Sequence, residues 1–302
     1  MPKLLIISGP TATGKTDLAE LVASKISSEL VSADSRQIYK GMDIGTGKDH
    51  NLKTTIHLVD IVNPDQSFSA FDFATMANEK IQEIHNKKKL PIVVGGTGFY
   101  LHALLNPSSI NSPNIQNHFL FSILNKFPVN ILKNIYKIIA PLDFKSLNNS
   151  EQNNPHRLVK RILLKLVSQK VETGYIPSLQ GTDILHIHLA AQNTYIHSKI
   201  DRRVDLRLEQ GLLAEISNLL KTYTWGDPGL KTLAYQEFQA FFKKADTLQN
   251  CVQTWTTHEK QYVKRQKTYF QKYFPDTTTI DISKKSAKQT AINKITTWYN
   301  KA

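Results

Sequence analysis

The chain has 302 residues, of which 40% are apolar and 21% charged, and its formal net charge at pH 7 is +13. Its single cysteine, Cys251, excludes an internal disulfide and a zinc site built on cysteines. No apolar run approaches the roughly 20 residues of a membrane-spanning helix. We therefore expect a globular protein of the reducing cytoplasm with no membrane segment. The basic charge favours nucleic acid as a partner, unless it only reflects a lysine-rich proteome.

The N-terminal third alternates between buried strands and amphipathic helices. Short apolar runs predict strands at residues 3–8, 29–35, 55–62 and 90–96, and the first of these is a strand rather than a signal peptide. Periodic apolar residues predict helices at 16–26 and 69–89, the second opened by a capping box of Ser69 and Asp72. This alternation predicts an α/β fold with a mostly parallel sheet, whose ligands lie beyond the carboxyl ends of the strands.

The character of the sequence changes near Asn106. An Asn- and Ser-rich stretch with helical segments predicts a small helical insertion domain at 110–182. A strand at 184–190 then returns to the sheet, a long helix covers 198–223, and the last third of the chain is helical and basic. The predicted domains are the first part of the core at 1–109, the insertion at 110–182, and the rest of the core with a basic helical C-terminal region at 183–302.

The first strand leads directly into GPTATGKT, which fits the P-loop pattern without deviation. Its glycines let successive N–H groups point at phosphate oxygens, and the following helix directs its positive end to the same place. The flanking strand and helix argue against a turn without function. The motif predicts a P-loop NTPase-like core that holds a diphosphate or longer phosphate chain with a metal ion. The candidate diphosphate-binding residues are Gly9, Pro10, Thr11, Ala12, Thr13, Gly14, Lys15 and Thr16, and the Thr16 hydroxyl is the candidate Mg²⁺ ligand.

Polar residues also follow the ends of other predicted strands. Asp34 ends the second strand, where a carboxylate can bind Mg²⁺, take a proton from a substrate nucleophile, or cap a turn. Asp60 is the rival metal ligand. Thr97 follows the fourth strand, and its hydroxyl either bonds the substrate or caps the helix that begins at Gly98.

Basic residues are concentrated in the C-terminal half. Lys199, Arg203 and Arg207 recur every four residues on the predicted long helix, either as a stripe that meets phosphate or as a solvated face. The segment HEKQYVKRQKTYFQKYF, residues 258–274, interleaves cations with aromatic rings. RNA binding requires this composition, with cations for phosphates and ring faces for unstacked bases. The alternative is an amphipathic helix whose aromatic residues lie in the core.

In combination, these segments resemble the tRNA dimethylallyltransferase family. The resemblance rests on GPTATGKT, DSRQIYKGMDIGTGK, HLVDI and VVGGTGFYLHALL, followed by NNPHRLVKRILL, SKIDRRVDLRLEQGLLAEI, TLAYQEF and KQYVKRQKTYF. These segments occur in the order of the family and extend over most of the chain. Ala234 replaces a usual glycine, Tyr269 replaces a usual tryptophan, and lysine replaces arginine at 160, 199 and 260. The insertion domain also diverges from the family pattern.

The resemblance implies an enzyme that transfers a dimethylallyl group from dimethylallyl diphosphate to N6 of adenosine 37 in the anticodon loop of tRNA. Residues 9–16 then hold the diphosphate with Mg²⁺ and hydrolyse no nucleotide. Asp34 is the implied general base, and Thr97 and Arg203 complete the catalytic set. The implied tRNA-binding residues are Asp34, Ser35, Arg36, Gln37, His156, Arg157, Leu158, Val159, Lys160, Tyr235, Lys264, Arg265 and Gln266. We expect a cytoplasmic monomer.

Three other functions each explain part of the sequence. A P-loop kinase for small molecules explains the phosphate loop and the sheet, but not DSRQIYKGMDIGTGK or the basic C-terminal third. An isopentenyltransferase that acts on free AMP or ATP shares the loop, but the basic C-terminal segment favours RNA. A non-catalytic RNA-binding protein fits the charge, but it does not require an intact set of Lys15, Thr16, Asp34, Thr97 and Arg203.

Overall fold

The computed structural model describes residues 1–49, 51–107, 119–167 and 179–301. The chain divides into two units. Unit 1 comprises Met1–Leu105 and Ser178–Ala302, and unit 2 comprises Asn106–Pro177. The predicted start of the insertion domain, at residue 110, lies outside the described residues. Within the described ranges, no helix is long and apolar enough to cross a membrane.

Unit 1 is built on a parallel sheet, as the alternation of strands and helices predicts. Its described strands are β1 (Lys3–Ser8), β2 (Ser28–Ser32), β3 (Ile56–His57), β4 (Leu90–Gly95), β5 (Asp183–Ala190) and β6 (Thr278–Asp281). Their order is β3-β2-β4-β1-β5-β6, and every neighbouring pair is parallel. At the carboxyl edge, Ser8 is in register with Gly95 and His188. The predicted P-loop NTPase-like α/β fold is confirmed.

Three strand predictions are wrong in detail. β2 ends at Ser32 rather than at residue 35, so Asp34 lies two residues beyond the strand. β3 covers two residues rather than 55–62, because Leu58 and Asp60 have φ angles of 62° and 55°, which an extended strand excludes. β6 adds an edge strand beside β5, where the sequence predicts only helices. Its four residues are too few to carry a clear apolar period.

In chain order, the described helices are α1 (Lys15–Ala23), α2 (Ala70–Asn86), α3 (Gly98–Leu105), α4 (Phe119–Leu124), α5 (Val129–Ile139), α6 (Pro141–Ser146), α7 (Asn149–Gln152), α8 (Pro155–Val167), α9 (Asn193–Glu209), α10 (Leu212–Leu219), α11 (Gln239–Phe242), α12 (Leu248–Tyr273) and α13 (Ala287–Tyr299). The capping box of α2 is confirmed, since Ser69 and Asp72 each accept the other's backbone N–H. The predicted continuous helix at 198–223 is wrong. Gly211, with a φ of 97°, separates α9 from α10.

Two apolar cores fix the elements of unit 1. One lies between the sheet, α1 and α13, and includes Leu5, Ile7, Leu18, Val22 and Ile292. The other joins α9, α10 and α12, and includes Ile200, Ile216 and the fully buried Trp255. Truncation of a buried tryptophan to alanine costs about 3–5 kcal/mol. The second core therefore holds α9 and α12 firmly in place beside each other.

Unit 2 has a separate core, formed mainly by α5 and α8. Leu158 and Val159 are fully buried in it. The tRNA contact predicted for these two side chains is therefore corrected to a packing role, because an enclosed apolar side chain offers no surface to RNA. The neighbouring His156 and Arg157 are exposed on α8, and Lys160 is half-buried. Burial lowers the pKa of Lys160.

Candidate active site

The P-loop connects β1 to α1 at the carboxyl edge of the sheet. Gly9 fits only because it has no side chain: a Cβ there would lie 2.5 Å from the carbonyl oxygen of Leu189. Gly14 has a φ of 73° and turns the chain into α1. The Thr13 hydroxyl donates to the carbonyl oxygen of Pro10 over 2.8 Å, which closes the loop on itself.

Lys15 begins α1 and lies inside this loop. Its ammonium group donates to the carbonyl oxygen of Pro10 over 2.8 Å. Burial lowers the pKa of Lys15 to about 8, against an opposing effect of the Asp34 carboxylate and with a smaller lowering effect of Arg203. The loop therefore holds a cation that is poorly solvated, so a phosphate anion would find strong attraction there.

A cavity of about 230 Å³ opens beside the P-loop. Its lining residues come from the loop, the ends of β2 and β4, the segment after β2, and α9: Thr11, Ala12, Gly14, Lys15, Thr16, Asp17, Ser32, Asp34, Gln37, Thr46, Gly47, Asp49, Ile56, Val94, Gly95, Arg203 and Arg207. Asp34 Oδ1 accepts a 2.9 Å hydrogen bond from the Arg36 N–H. This bond fixes the turn and at the same time orients a carboxylate that lines the cavity.

Thr97 ties the end of β4 to the segment after β2. Its hydroxyl oxygen accepts from the Ser35 N–H over 3.0 Å and lies 3.2 Å from the Ser35 hydroxyl. Tyr262, on α12, lies beside the same segment, with the Arg36 guanidinium 4.2 Å from the centroid of its ring. Thr97 thus fixes the backbone of the residue that follows Asp34.

A buried carboxylate joins two arginines at this site. Glu259 is fully buried on α12, and its Oε1 and Oε2 accept from Arg36 over 3.0 Å and from Arg203 over 3.4 Å. Arg203 also donates to the hydroxyl of Thr11 in the P-loop over 2.8 Å. Burial alone would raise the pKa of Glu259, but the surrounding arginines, Arg207 included, lower it. Glu259 is therefore an anion that aims Arg203 at the loop.

The stripe on α9 is only partly solvated. Lys199 is exposed, but Arg207 is buried, and its guanidinium donates to the carbonyl oxygen of Gly45 over 2.8 Å. Burial lowers the pKa of Arg207 to about 9. The alternative of a fully solvated basic face is thus excluded, because the α9–α12 core turns one side of α9 inward.

Glu215 organises the loop that contains Gly45. Its carboxylate accepts from the backbone N–H groups of Asp43, Ile44 and Gly45 over 2.7–3.1 Å, and from the Tyr235 hydroxyl over 2.6 Å. Tyr235 is fully buried in this contact. The tRNA contact predicted for its side chain is corrected accordingly, because its hydroxyl and ring are both used inside the protein.

Asp60, the rival metal ligand, is paired with a lysine. Lys48 bridges Asp43 and Asp60, with ion-pair distances of 2.7 Å and 2.5 Å, and its own side chain is only 2% exposed. Asp60 lines an adjacent cavity of about 320 Å³, while Asp34 lines the cavity of the P-loop. Of the two carboxylates, Asp34 is the one that shares a cavity with the phosphate loop.

The predicted RNA residues of α12 separate into two groups. Lys264 and Arg265 are exposed. Gln266 is buried, its Oε1 accepting from the Thr11 N–H over 2.9 Å and its Nε2 donating to the carbonyl oxygen of Gly96 over 2.8 Å. The RNA contact predicted for Gln266 is corrected to a link between the P-loop and the end of β4, since both ends of its amide are occupied.

Sequence reasoning missed three residues of this site. Glu259 and Tyr262 lie within residues 258–274, and the sequence of this segment indicates RNA binding through its cations. Glu215 lies in α10, within residues 198–223, which the sequence predicts as one continuous helix. Each acts through partners distant in sequence, Glu259 through Arg36 and Arg203 above all, so the local pattern carries no signal for it.

The chain is similar to known proteins in both sequence and structure. The family model described as IPP transferase matches residues 37–273. A tRNA dimethylallyltransferase 2 from Geotalea uraniireducens is 34% identical over 282 residues, covering 90% of each chain. A tRNA dimethylallyltransferase from Pediococcus pentosaceus is 33% identical, covering 99% of this chain and 97% of its own. A crystal structure of a tRNA isopentenylpyrophosphate transferase from Staphylococcus epidermidis superposes with a TM-score of 0.72 at 29% identity, covering 99% of each chain. The chain therefore belongs to the IPP transferase family.

Proposed function

We propose that this protein transfers the dimethylallyl group of dimethylallyl diphosphate to N6 of adenosine 37 in the anticodon loop of tRNA. The observation that carries the proposal is the meeting of the P-loop, Asp34 and Arg203 at one cavity, in a chain of this family. The relatives from Geotalea and Pediococcus are named tRNA dimethylallyltransferases, which supports the choice of reaction. We also propose that the protein acts as a cytoplasmic monomer.

The first chemical requirement is to stabilise the departing diphosphate. The loop Gly9–Thr16 would hold it through backbone N–H groups other than those of Pro10, which has none, and Thr11, which bonds Gln266. Lys15 would neutralise its outer phosphate, and Arg203 would approach from the side of Thr11. The bond from C1 of the dimethylallyl group to oxygen breaks as N6 forms its bond to C1. The electron pair of the broken bond leaves with the diphosphate.

The second requirement is to receive the proton of N6. Asp34 is the base in this proposal, and it takes the proton as the new bond forms because an adenine amino group is very weakly acidic. Thr97 and Ser35 fix the backbone beside Asp34. The adenosine must leave its stack to reach the cavity, and an anticodon loop allows this because its bases are unpaired.

RNA contacts are proposed for the accessible residues. Ser35, Arg36 and Gln37 border the acceptor position, and Lys264 and Arg265 offer exposed cations. Arg36 keeps 13% of its side chain accessible while Glu259 holds it, so it would present a fixed charge. From unit 2, we propose His156, Arg157 and Lys160.

The donor set near the P-loop suits Mg²⁺. The Thr16 hydroxyl and the Asp34 carboxylate line one cavity, and Mg²⁺ prefers such oxygen ligands together with substrate phosphates. Among the described residues, no three His, Cys, Asp or Glu side chains are grouped to hold a metal. Binding would therefore depend on the diphosphate itself. When bound, the ion would offset the negative charge of the leaving group.

The test is a transfer assay with three acceptors. The protein is incubated with dimethylallyl diphosphate, Mg²⁺ and either tRNA, AMP or ATP, and the products are analysed by mass spectrometry. We expect a dimethylallyl group on adenosine 37 of tRNA and none on AMP or ATP. Consumption of ATP without use of dimethylallyl diphosphate would overturn the proposal in favour of a kinase.

A further inference from the structure

Three tyrosines form a stripe along α12. Tyr262, Tyr269 and Tyr273 are spaced by seven and four residues, which places them on one side of the helix. Tyr262 lies beside the segment that follows Asp34, since the Arg36 guanidinium is 4.2 Å from the centroid of its ring. At 1.5 Å per residue, the stripe extends about 16 Å from Tyr262 along α12.

The outer part of this stripe is open to solvent. The rings of Tyr269 and Tyr273 are 4.4 Å apart between centroids, at an angle of 31°. Tyr269 lies against the start of α3, where a Cβ on Gly98 would come within 2.5 Å of its ring. The next residue, Phe99, is 53% exposed, and Tyr273 is 40% exposed. Parts of the Phe99 and Tyr273 rings are therefore accessible, although Tyr273 also contacts the rings of Tyr269 and His102.

The outer part of α12 is rich in cations. From Lys260 to Tyr273 the sequence contains five cations and no carboxylate: Lys260, Lys264, Arg265, Lys267 and Lys272. The Lys272 ammonium lies 5.0 Å from the Tyr273 ring, and the Arg265 guanidinium lies 5.6 Å from the Tyr262 ring. Cations beside exposed rings complement a strand that carries phosphates and unstacked bases. An apolar protein surface would not match this charge.

We propose that Phe99, Tyr269 and Tyr273 form an aromatic ledge that stacks the unpaired nucleotides next to the target adenosine. The inference rests on the proposed function, and it assigns a binding place to the nucleotides of the anticodon loop that do not react. From Tyr269 to Tyr273 the ledge covers about 6 Å along α12. At about 3.4 Å per stacked base, this length accommodates about two bases. Stacking is tolerant of base identity, so the ledge holds the strand without reading its sequence.

The test uses a stem-loop RNA with the acceptor adenosine in its loop and 2-aminopurine at a flanking position. Its dissociation constant and fluorescence quenching are measured for the full-length protein and for Tyr273→Ala, Phe99→Ala and Tyr273→Phe. Leu206→Ala, at an exposed apolar residue of α9, is the matched control. Inorganic pyrophosphate binding is measured in parallel as a readout of the P-loop.

We expect both alanine variants to bind the RNA about tenfold more weakly, with reduced quenching. Tyr273→Phe and Leu206→Ala should match the wild type, and pyrophosphate affinity should not change in any variant. RNA affinity equal to the wild type in both alanine variants would overturn the ledge, as would an equal loss in Tyr273→Phe. If the ledge were overturned while the wild type still transferred the dimethylallyl group to tRNA, the proposed function would stand. Absence of transfer by the wild type would overturn the proposed function itself.

Discussion

A Cβ atom added to Gly47 would lie 1.9 Å from a terminal nitrogen of Arg207, so the loop and the buried guanidinium occupy adjoining space with nothing between them. Gly47 also has a φ of 66°. Substitution Gly47→Ala should displace Arg207, disturb the wall of the P-loop cavity and reduce transfer by at least tenfold. Steady-state kinetics would measure the loss of transfer, and thermal unfolding would measure any accompanying loss of stability.

Gly47→Ala combines a collision with Arg207 and a strained backbone angle, and Gly211→Ala tests the strained angle alone. Gly211 has a φ of 97° but no heavy atom within 4 Å of an added Cβ, so it suffers backbone strain without collision. We expect the free energy of unfolding to fall by about 1–2 kcal/mol, with a modest drop in melting temperature. Transfer should remain near normal. Equal losses of transfer in the two variants would contradict the proposed importance of the Arg207 contact.

Asp34→Asn should nearly abolish transfer and leave RNA affinity largely intact. The amide keeps the size and the acceptor oxygen that bonds the Arg36 N–H, but it cannot accept the N6 proton. Single-turnover transfer and RNA binding are measured together, with Asp205→Asn on the exposed side of α9 as the control. An RNA affinity that falls as much as the rate would argue against a base.

Diphosphate affinity should decline with pH above about 8. Burial lowers the pKa of Lys15 to about 8, and the bound anion requires the protonated form. Affinity is therefore retained below this pH and falls by up to about tenfold per pH unit above it. Calorimetry with inorganic pyrophosphate gives the profile, and Lys15→Arg should flatten it. A wild-type profile without this bend would show that Lys15 is not the titrating contact.

Two buried histidines should make the protein sensitive to acid. His186 and His188 share the Ser8 hydroxyl, at 2.7 Å and 2.9 Å, and burial lowers the pKa of each to about 4. Below the ordinary value of about 6.5 the unfolded chain takes up protons that the folded protein does not, so the free energy of unfolding falls as pH drops toward 4. Between pH 7 and 5 we expect a loss of about 1–2 kcal/mol for each.

Urea unfolding at a series of pH values measures this slope. His186→Gln and His188→Asn should each reduce it, whatever they do to stability at pH 7. His197→Asn, on α9 and outside the cluster, should leave the slope unchanged. A wild-type stability that is constant between pH 7 and 5 would be incompatible with buried neutral histidines.

Gln266→Leu tests the corrected role of this residue. Loss of its amide leaves the Thr11 N–H and the Gly96 carbonyl oxygen without this partner, at a cost of about 1–3 kcal/mol. We expect lower stability and weaker pyrophosphate binding. Lys264→Ala should show the reverse pattern, with weaker RNA binding alone. If Gln266→Leu lost only RNA affinity, the RNA contact first expected for it would be correct.

The chain's own sequence determined the phosphate loop, the strands on either side of it and the position of Asp34 just beyond the carboxyl end of β2. These features are local. Gly9, Gly14 and Lys15 have fixed spacing because one loop must fold around one anion, and strand ends in a parallel sheet share an edge by construction. The order of motifs along the chain also pointed to the family that the comparisons established.

Tertiary structure alone decided which polar residues face inward and what they hold. Glu259 and Arg203 are 56 residues apart, and only the packing of α12 on α9 makes them partners. Contact of α12 with the P-loop and the end of β4 buries Gln266, while burial within unit 2 removes Leu158 from the surface. Burial depends on which helix faces meet, and a periodic sequence specifies an apolar face without specifying the polar groups that the fold encloses beside it.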